Sequence, residues 1–189
     1  DFLALTEMVS FGELLRRGVL KKLTLRCAVH FVSHQWLGNE HPDPEGIQLR
    51  RLQKVFRDII ACRHEDLFRE VDWKVLATGI SSGTGLHAAR WEAAAETMGT
   101  VSSFTPEAFA LQTSLSYVWI DFSCIPQLSD LSLEQTGCVP EDAAVATLKG
   151  DQAEAISSIP AYLERADYFW VLAPSAVHTG TGEVSNFWT

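Results

Sequence analysis

Three short apolar runs, each followed directly by polar loop residues, most constrain how this chain can fold. They cover residues 27–33, 117–122 and 168–173 and are rich in valine, isoleucine and aromatic residues, which predicts buried strands. Between them, residues 47–62 and 151–165 have apolar side chains at helical spacing, and Pro160 predicts a kink in the second helix. Strands that alternate with helices predict an α/β domain, with a parallel sheet covered by helices on both faces.

Shorter elements fill part of the remaining sequence. Ser10 and the pair Thr105-Pro106 are typical helix starts, so we expect a helix over 10–18 and another after residue 105. Within 63–116, which we interpret as an insertion, the pattern predicts a strand over 71–78 and a helix over 86–98. Residues 123–150 are predicted to form a loop.

The length and net charge of the chain exclude some classes of function. The 189 residues suit a single domain, and 15 Lys and Arg against 24 Asp and Glu give a net charge of −9. A chain this acidic lacks the basic surface of a nucleic-acid-binding protein and is repelled by anionic membranes. No apolar run reaches the ~18 residues of a spanning helix. We therefore expect no nucleic-acid partner and no membrane association.

The cysteine spacing and the two ends of the chain bear on cellular location and on completeness. The four cysteines contain no C-x-x-C pair, which argues against a zinc finger and against a disulfide framework. Reduced thiols and the lack of a signal peptide predict a cytoplasmic protein. Because the chain opens on Asp1 and stops at Trp188-Thr189, we expect it to be a fragment, truncated at its C-terminus, of a longer protein.

Ligands of parallel sheets bind outside the carboxyl ends of the strands. In this chain that rule selects three loops, at 33–38, 121–127 and 174–182, all rich in polar groups. We expect these loops to meet at one edge of the sheet and to form any ligand site.

Two of these loops resemble a known family. The run Phe31-Val32-Ser33-His34-Gln35-Trp36-Leu37-Gly38 is similar to the first block of fungal heterokaryon-incompatibility (HET) domains, which read roughly L-S-Y-x-W-G. The run Tyr117-Val118-Trp119-Ile120-Asp121-Phe122-Ser123-Cys124-Ile125-Pro126-Gln127 resembles their L-W-I-D-x-x-C-I-x-Q signature. Residues 155–173 resemble the helix and strand that follow. HET domains belong with the wider TIR-like group.

The resemblance implies a flavodoxin-like (TIR-like) fold and a role in cell-death or innate immune signalling. Some such domains cleave NAD at the nicotinamide–ribose bond, whereas others only self-associate or bind other signalling domains. The resemblance makes NAD a substrate rather than a cofactor, and it makes a nucleotide the expected ligand. It places the catalytic glutamate a few residues after Trp188, beyond the chain end, which leaves Glu183 as a weak substitute.

The expected substrate-binding set is Ser33, His34, Gln35, Trp36, Asp121, Cys124 and Gln127. At five of these positions the residues themselves leave more than one interpretation open. Asp121 could accept from a ribose hydroxyl or cap the next turn. Trp36 could stack on a nucleobase or nicotinamide, or pack against the core. His34 could donate to a phosphate, act as an acid or base, or be structural. Cys124 is a nucleophile only beside a base and is otherwise an inert thiol. Gln127 could bind a ligand or its own loop.

Three competing motifs remain. Gly79-Ile80-Ser81-Ser82-Gly83 matches the nucleophile elbow of serine hydrolases, with Ser81 as nucleophile, Asp121 or Asp167 as the acid and His178 as the base. Gly83-Thr84-Gly85-Leu86-His87-Ala88 matches a dinucleotide-binding fingerprint. His30 and His34 lie four residues apart, but no third ligand accompanies them, so no metal site is predicted.

Overall fold

The computed structural model describes residues 1–23, 27–63, 65, 67–69, 105–133, 141–173 and 175–185. The predicted strand at 71–78, the predicted helix at 86–98, Ser81 and both glycine motifs lie outside these residues.

A parallel sheet forms the centre of the domain. Its strands are β1 (Val29–His34), β2 (Tyr117–Ile120) and β3 (Tyr168–Leu172), in the order β2-β1-β3. Val29 is opposite Tyr117 in one pairing, and His30 is opposite Tyr168 in the other. The predicted parallel α/β arrangement is therefore confirmed. A two-stranded antiparallel ribbon, β4 (Ala176–Val177) with β5 (Val184–Ser185), follows β3 and was not predicted.

The helices are α1 (Phe11–Arg16), α2 (Ile47–Ile60), α3 (Pro106–Ser114), α4 (Asp121–Cys124), α5 (Glu141–Ser157) and α6 (Ile159–Glu164), with 3-10 turns at Phe2–Ala4 and Leu128–Leu133. Ser10 and Thr105 cap α1 and α3 with their side chains, as predicted. The helix predicted over 151–165 breaks at Ser158, and Pro160 lies in the first turn of α6, where its missing N–H does no harm.

Two predictions about the second half of the chain are wrong. The strand expected over 117–122 ends at Ile120, because Asp121 starts the single-turn helix α4. The loop expected over 123–150 contains the first ten residues of α5. Residues 143–149 are rich in alanine and form helix readily, but their apolar side chains do not fall on one stripe, so periodicity did not reveal them.

Alternation along β1 divides the core between the two faces of the sheet. Ala28, His30 and Val32 face α2 and α3, where Phe56 and Phe109 pack. Val29 and Phe31 face the other way, against Trp119 of β2 and Tyr162 of α6. Helices α2 and α3 thus cover one face, whereas α6 covers only part of the other, where Phe169 and Val171 of β3 stay exposed. No helix within the described ranges is long and apolar enough to cross a bilayer.

Candidate functional site

The three loops selected from the sequence meet at the carboxyl edge of the sheet. His34 ends β1 and Asp121 follows β2, and His34 Nε2 lies 2.7 Å from Asp121 Oδ1. The third loop joins the first where the Thr179 N–H donates to the Leu37 carbonyl at 2.8 Å. Parallel strands bring their following loops to one edge even when the residues are distant in sequence.

His34 and Asp121 form the centre of this edge. The His34 side chain is 1% exposed and that of Asp121 is 38% exposed, so the pair joins a buried imidazole to a carboxylate that solvent can reach. Because the carboxylate accepts, Nε2 is assigned the proton. His34 Nδ1 is buried and has no hydrogen-bond partner in the described part of the chain.

The environment keeps Asp121 ionised. Burial raises the pKa of Asp121 and is the largest single influence, but the hydrogen bond and charge of His34 act against it. The backbone N–H of Phe122, 2.6 Å from Oδ1, and the Trp36 side chain also favour the charged form. The net pKa of Asp121 is therefore lowered, and the carboxylate accepts hydrogen bonds at neutral pH. The Phe122 contact means that Asp121 does cap its own turn.

Trp36 supplies an aromatic surface next to this carboxylate. Its ring meets the buried Phe122 edge-on at a centroid distance of 5.8 Å, yet 36% of the residue stays exposed. A partly exposed, braced indole can stack on a planar ligand.

The other predicted site residues have different surroundings. Ser33 is exposed and lies on the opposite face of β1 from His34. The Gln35 carbonyl accepts from the Gln48 side chain. The Gln127 side chain donates to Ile125 O at 2.7 Å within its own loop, which is the structural interpretation considered for it.

Glu183, the weak substitute for the catalytic glutamate, is exposed in the turn between β4 and β5. Its backbone carbonyl accepts from the His178 N–H, and its own N–H donates to Thr181 Oγ1.

Cys124 has the properties of an inert thiol. Burial, helped by the nearby Asp121 charge, raises the pKa of Cys124 to about 11. The thiol therefore stays protonated at neutral pH and is a poor nucleophile.

The hydrolase and metal alternatives gain no support from the described residues. Asp167 precedes β3, at the amino edge, and its carboxylate accepts from Val29 N. His178 Nδ1 accepts from the backbone of Gly180 and Thr181, both at 3.1 Å. Asp121 is engaged with His34. Among the described residues, no three His, Cys, Asp or Glu side chains are placed to hold a metal ion.

Residues that hold the loops in place were missed. Asp43 is buried and accepts from Gln48 N at 3.1 Å and Leu49 N at 2.8 Å, so it stabilises the start of α2. The Gln48 side chain donates to the carbonyls of Gln35 and Pro42. The Asp43-Pro44-Glu45-Gly46 turn before the helix was a usable signal for Asp43, whereas nothing in the sequence distinguished Gln48.

Comparisons of the chain with protein-family models, with curated proteins and with solved structures gave no significant match.

Proposed function

We propose that this chain is a flavodoxin-like, TIR/HET-like signalling domain whose carboxyl edge binds a nucleotide, with NAD as the substrate. The observation that carries the proposal is the ionised Asp121, paired with buried His34 beside the exposed face of Trp36. A carboxylate accepts well from ribose hydroxyls, and an exposed indole suits a nicotinamide or adenine ring. The resemblance of 31–38 and 117–127 to HET blocks supplies the choice of NAD.

In this proposal the described residues bind and orient the nucleotide. Asp121 holds a ribose hydroxyl, His34 fixes the carboxylate, and Trp36 covers a ring. As the nicotinamide–ribose bond breaks, positive charge develops on the ribose, and a nearby carboxylate stabilises it. The resemblance assigns that task to a glutamate after Trp188.

The first test measures NAD affinity by titration calorimetry. Asp121→Asn removes the charged acceptor and Trp36→Leu removes the stacking surface, so each is expected to weaken binding about tenfold. Glu40→Gln, an exposed acid in the loop after β1, is the matched control and should bind like the parent chain. Equal affinities in all four proteins would contradict the assignment of the site.

Catalysis is tested separately, by nicotinamide release. This 189-residue chain is compared with a form extended past Thr189. Release by the extended form alone supports a catalytic glutamate beyond Trp188, whereas release by both makes Glu183 the first residue to mutate. NAD binding without release from either form would leave a nucleotide-binding module.

A second function, self-association, is favoured by one face of β3. Phe169 and Val171 point away from α2 and α3 and are 56% and 55% exposed. The ring of Phe169 lies beside that of Phe31, with 5.8 Å between the ring centroids. Exposed apolar side chains that adjoin one another are typical of interaction surfaces.

Phe169→Lys is expected to weaken self-association by about tenfold, because it places a charge in the centre of this apolar patch. Sedimentation over a concentration series measures the effect. Val177→Lys is the control, since Val177 is equally exposed but lies on the β4–β5 ribbon. A monomeric parent chain, or equal loss in both variants, would rule out this surface.

A further inference from the structure

A fully buried glutamine of α2 holds the loop that carries Trp36. The Gln48 Nε2 donates to the carbonyl of Gln35 at 2.7 Å and to the carbonyl of Pro42 at 3.2 Å. Gln35 directly precedes Trp36 in the sequence, and Pro42 ends the same loop. One amide therefore joins both ends of residues 35–42, the Trp36 loop, to the start of α2.

The backbone that follows Trp36 is held as well. The Leu37 N–H donates to the Pro42 carbonyl at 2.8 Å, and the Leu37 carbonyl accepts from the Thr179 N–H at 2.8 Å. Together with the Gln48 contacts, these hydrogen bonds fix the chain before and after Trp36. A backbone fixed on both sides restricts the directions in which the indole can point.

The direction of the Trp36 indole matters for the proposed nucleotide site. The Trp36 side chain hydrogen-bonds to the Asp121 carboxylate, and its ring packs edge-on against Phe122. An aromatic side chain that is ordered before the ligand arrives lowers the entropic cost of binding. A displaced Trp36 loop would move both the stacking surface and a donor to Asp121.

Gln48 is a costly residue for a purely structural position. Its Oε1 is buried and has no hydrogen-bond partner in the described part of the chain, and a buried, unpaired polar atom lowers stability. A methionine of similar length would fill this position without that cost. Residues that are kept at a cost in stability are typical of functional sites and their supports.

We propose that Gln48 is a positioning residue of the nucleotide site and acts on NAD through Trp36. It holds the Gln35 carbonyl, so that the indole is directed toward the Asp121 carboxylate before NAD binds. This inference rests on the function proposed above and adds to it a residue that does not itself contact the ligand.

Gln53 provides a matched control on the same helix. It is buried, and its Nε2 donates to the carbonyls of Phe2 at 3.0 Å and Leu5 at 2.8 Å. Gln53 therefore makes the same kind of contact as Gln48, but with the N-terminal segment instead of the Trp36 loop. Substitution by methionine removes two hydrogen bonds at either position and keeps the length of the side chain.

Titration calorimetry with NAD compares the two substitutions in the parent chain and in Trp36→Leu. Gln48→Met should weaken binding about fivefold in the parent chain but less than about twofold in Trp36→Leu, because residues that act through one another are not additive. Gln53→Met should keep the parent affinity. Equal weakening by Gln53→Met, or an undiminished effect of Gln48→Met in Trp36→Leu, would overturn the proposal.

The indole N–H signal of Trp36 in a nitrogen-15 NMR spectrum tests the positioning without NAD. Trp36→Leu identifies the signal by its absence. Gln48→Met should shift or broaden this signal, whereas Gln53→Met should leave it in place. A parent chain that does not bind NAD would contradict the nucleotide function itself, whereas an unmoved signal in Gln48→Met would contradict the role of Gln48 alone. Loss of the folded spectrum in Gln48→Met would assign the residue to folding and count against the proposal.

A second variant disturbs the same loop without changing α2. A Cβ at Gly38 would lie 2.7 Å from Pro44 Cγ and 2.9 Å from the His41 carbonyl oxygen, so Gly38→Ala forces the Trp36 loop to move. It should weaken NAD binding and move the Trp36 indole signal, as Gln48→Met does. Parent-like affinity together with an unmoved signal would show that the loop does not set the direction of Trp36 and would exclude the role assigned to Gln48.

Discussion

Replacing Asp130 with alanine is expected to lower the free energy of unfolding by about 3 kcal/mol. The buried Asp130 carboxylate accepts three hydrogen bonds, from Ser10 Oγ at 2.5 Å, Gly12 N at 3.0 Å and Gln127 N at 3.0 Å. Hydrogen bonds to a charged group contribute about 1.5–3 kcal/mol each when single partners are removed, and water that enters recovers part of that. The variant should also release the 121–127 loop from α1.

Urea unfolding monitored by circular dichroism measures this change. Asp151→Ala is the control, since Asp151 is an exposed acid on α5 and its loss should cost under about 0.5 kcal/mol. Asp130→Asn should fall between the two, because one acceptor oxygen remains. Equal stability of the Asp130→Ala variant and the parent chain would show that this carboxylate does not support the fold.

Gly12→Ala tests the same contact from the other side. A Cβ at Gly12 would lie 2.6 Å from Asp130 Cγ, far inside van der Waals contact, so the two segments must separate. The two substitutions should therefore be non-additive, and the double variant should be more stable than the sum of the single losses implies.

Acidification is expected to destabilise the domain through His30, from about pH 6.5 downward and so before the carboxylates begin to titrate. His30 is fully buried and is surrounded by Phe56, Phe109, Tyr168 and Trp170. This burial lowers the pKa of His30 from 6.5 to about 3. The Trp170 indole N–H donates to His30 Nδ1 at 2.9 Å, which leaves the ring neutral with its proton on Nε2.

The direction in which stability changes with pH follows from proton linkage. Below pH 6.5 the unfolded state binds a proton that the folded state does not, so stability falls as the pH falls and stops changing below about pH 3. The expected slope is about 1.4 kcal/mol per pH unit, or roughly 2–3 kcal/mol between pH 6.5 and 4.5. The lowered pKa values of Asp58 and Asp121 act only below about pH 4.

Urea unfolding at pH 6.5, 5.5 and 4.5 tests this for the parent chain and for His30→Leu. The variant should lose most of the slope, whatever its stability at pH 6.5. Trp170→Phe keeps the buried imidazole and removes only its hydrogen-bond donor, so it should keep the slope. Identical slopes in the parent chain and His30→Leu would assign the acid sensitivity to other groups.

Local sequence patterns predicted the strands and helices whose composition or terminal residues are typical of such elements. Runs of β-branched and aromatic residues identified all three strands of the parallel sheet, and Ser10 and Thr105-Pro106 identified two helix starts. The kink expected at Pro160 is instead a break between α5 and α6. The first half of α5 was missed, because propensity without periodicity gives no direction of burial. Similarly, the two-residue strands β4 and β5 are too short for any alternation to show.

The candidate site was partly predictable from the sequence, because its residues follow strands that local patterns reveal. The positions of His34, Trp36 and Asp121 at strand ends followed from the strand assignments and the rule for parallel sheets. That His34 would be almost fully buried and would pair with Asp121, 87 residues away, did not follow, because the two side chains are brought together only by the strand register.

By itself the sequence determined that the chain forms a parallel α/β domain with polar loops at one edge, since strand and helix patterns are local. Only the tertiary structure decided what the buried polar side chains do. His30 is stabilised by Trp170 and Asp130 by Ser10, partners that lie more than a hundred residues away and that no local pattern reveals. A polar group is buried only where long-range packing supplies its hydrogen bonds, and that packing is not encoded in any single stretch of the chain.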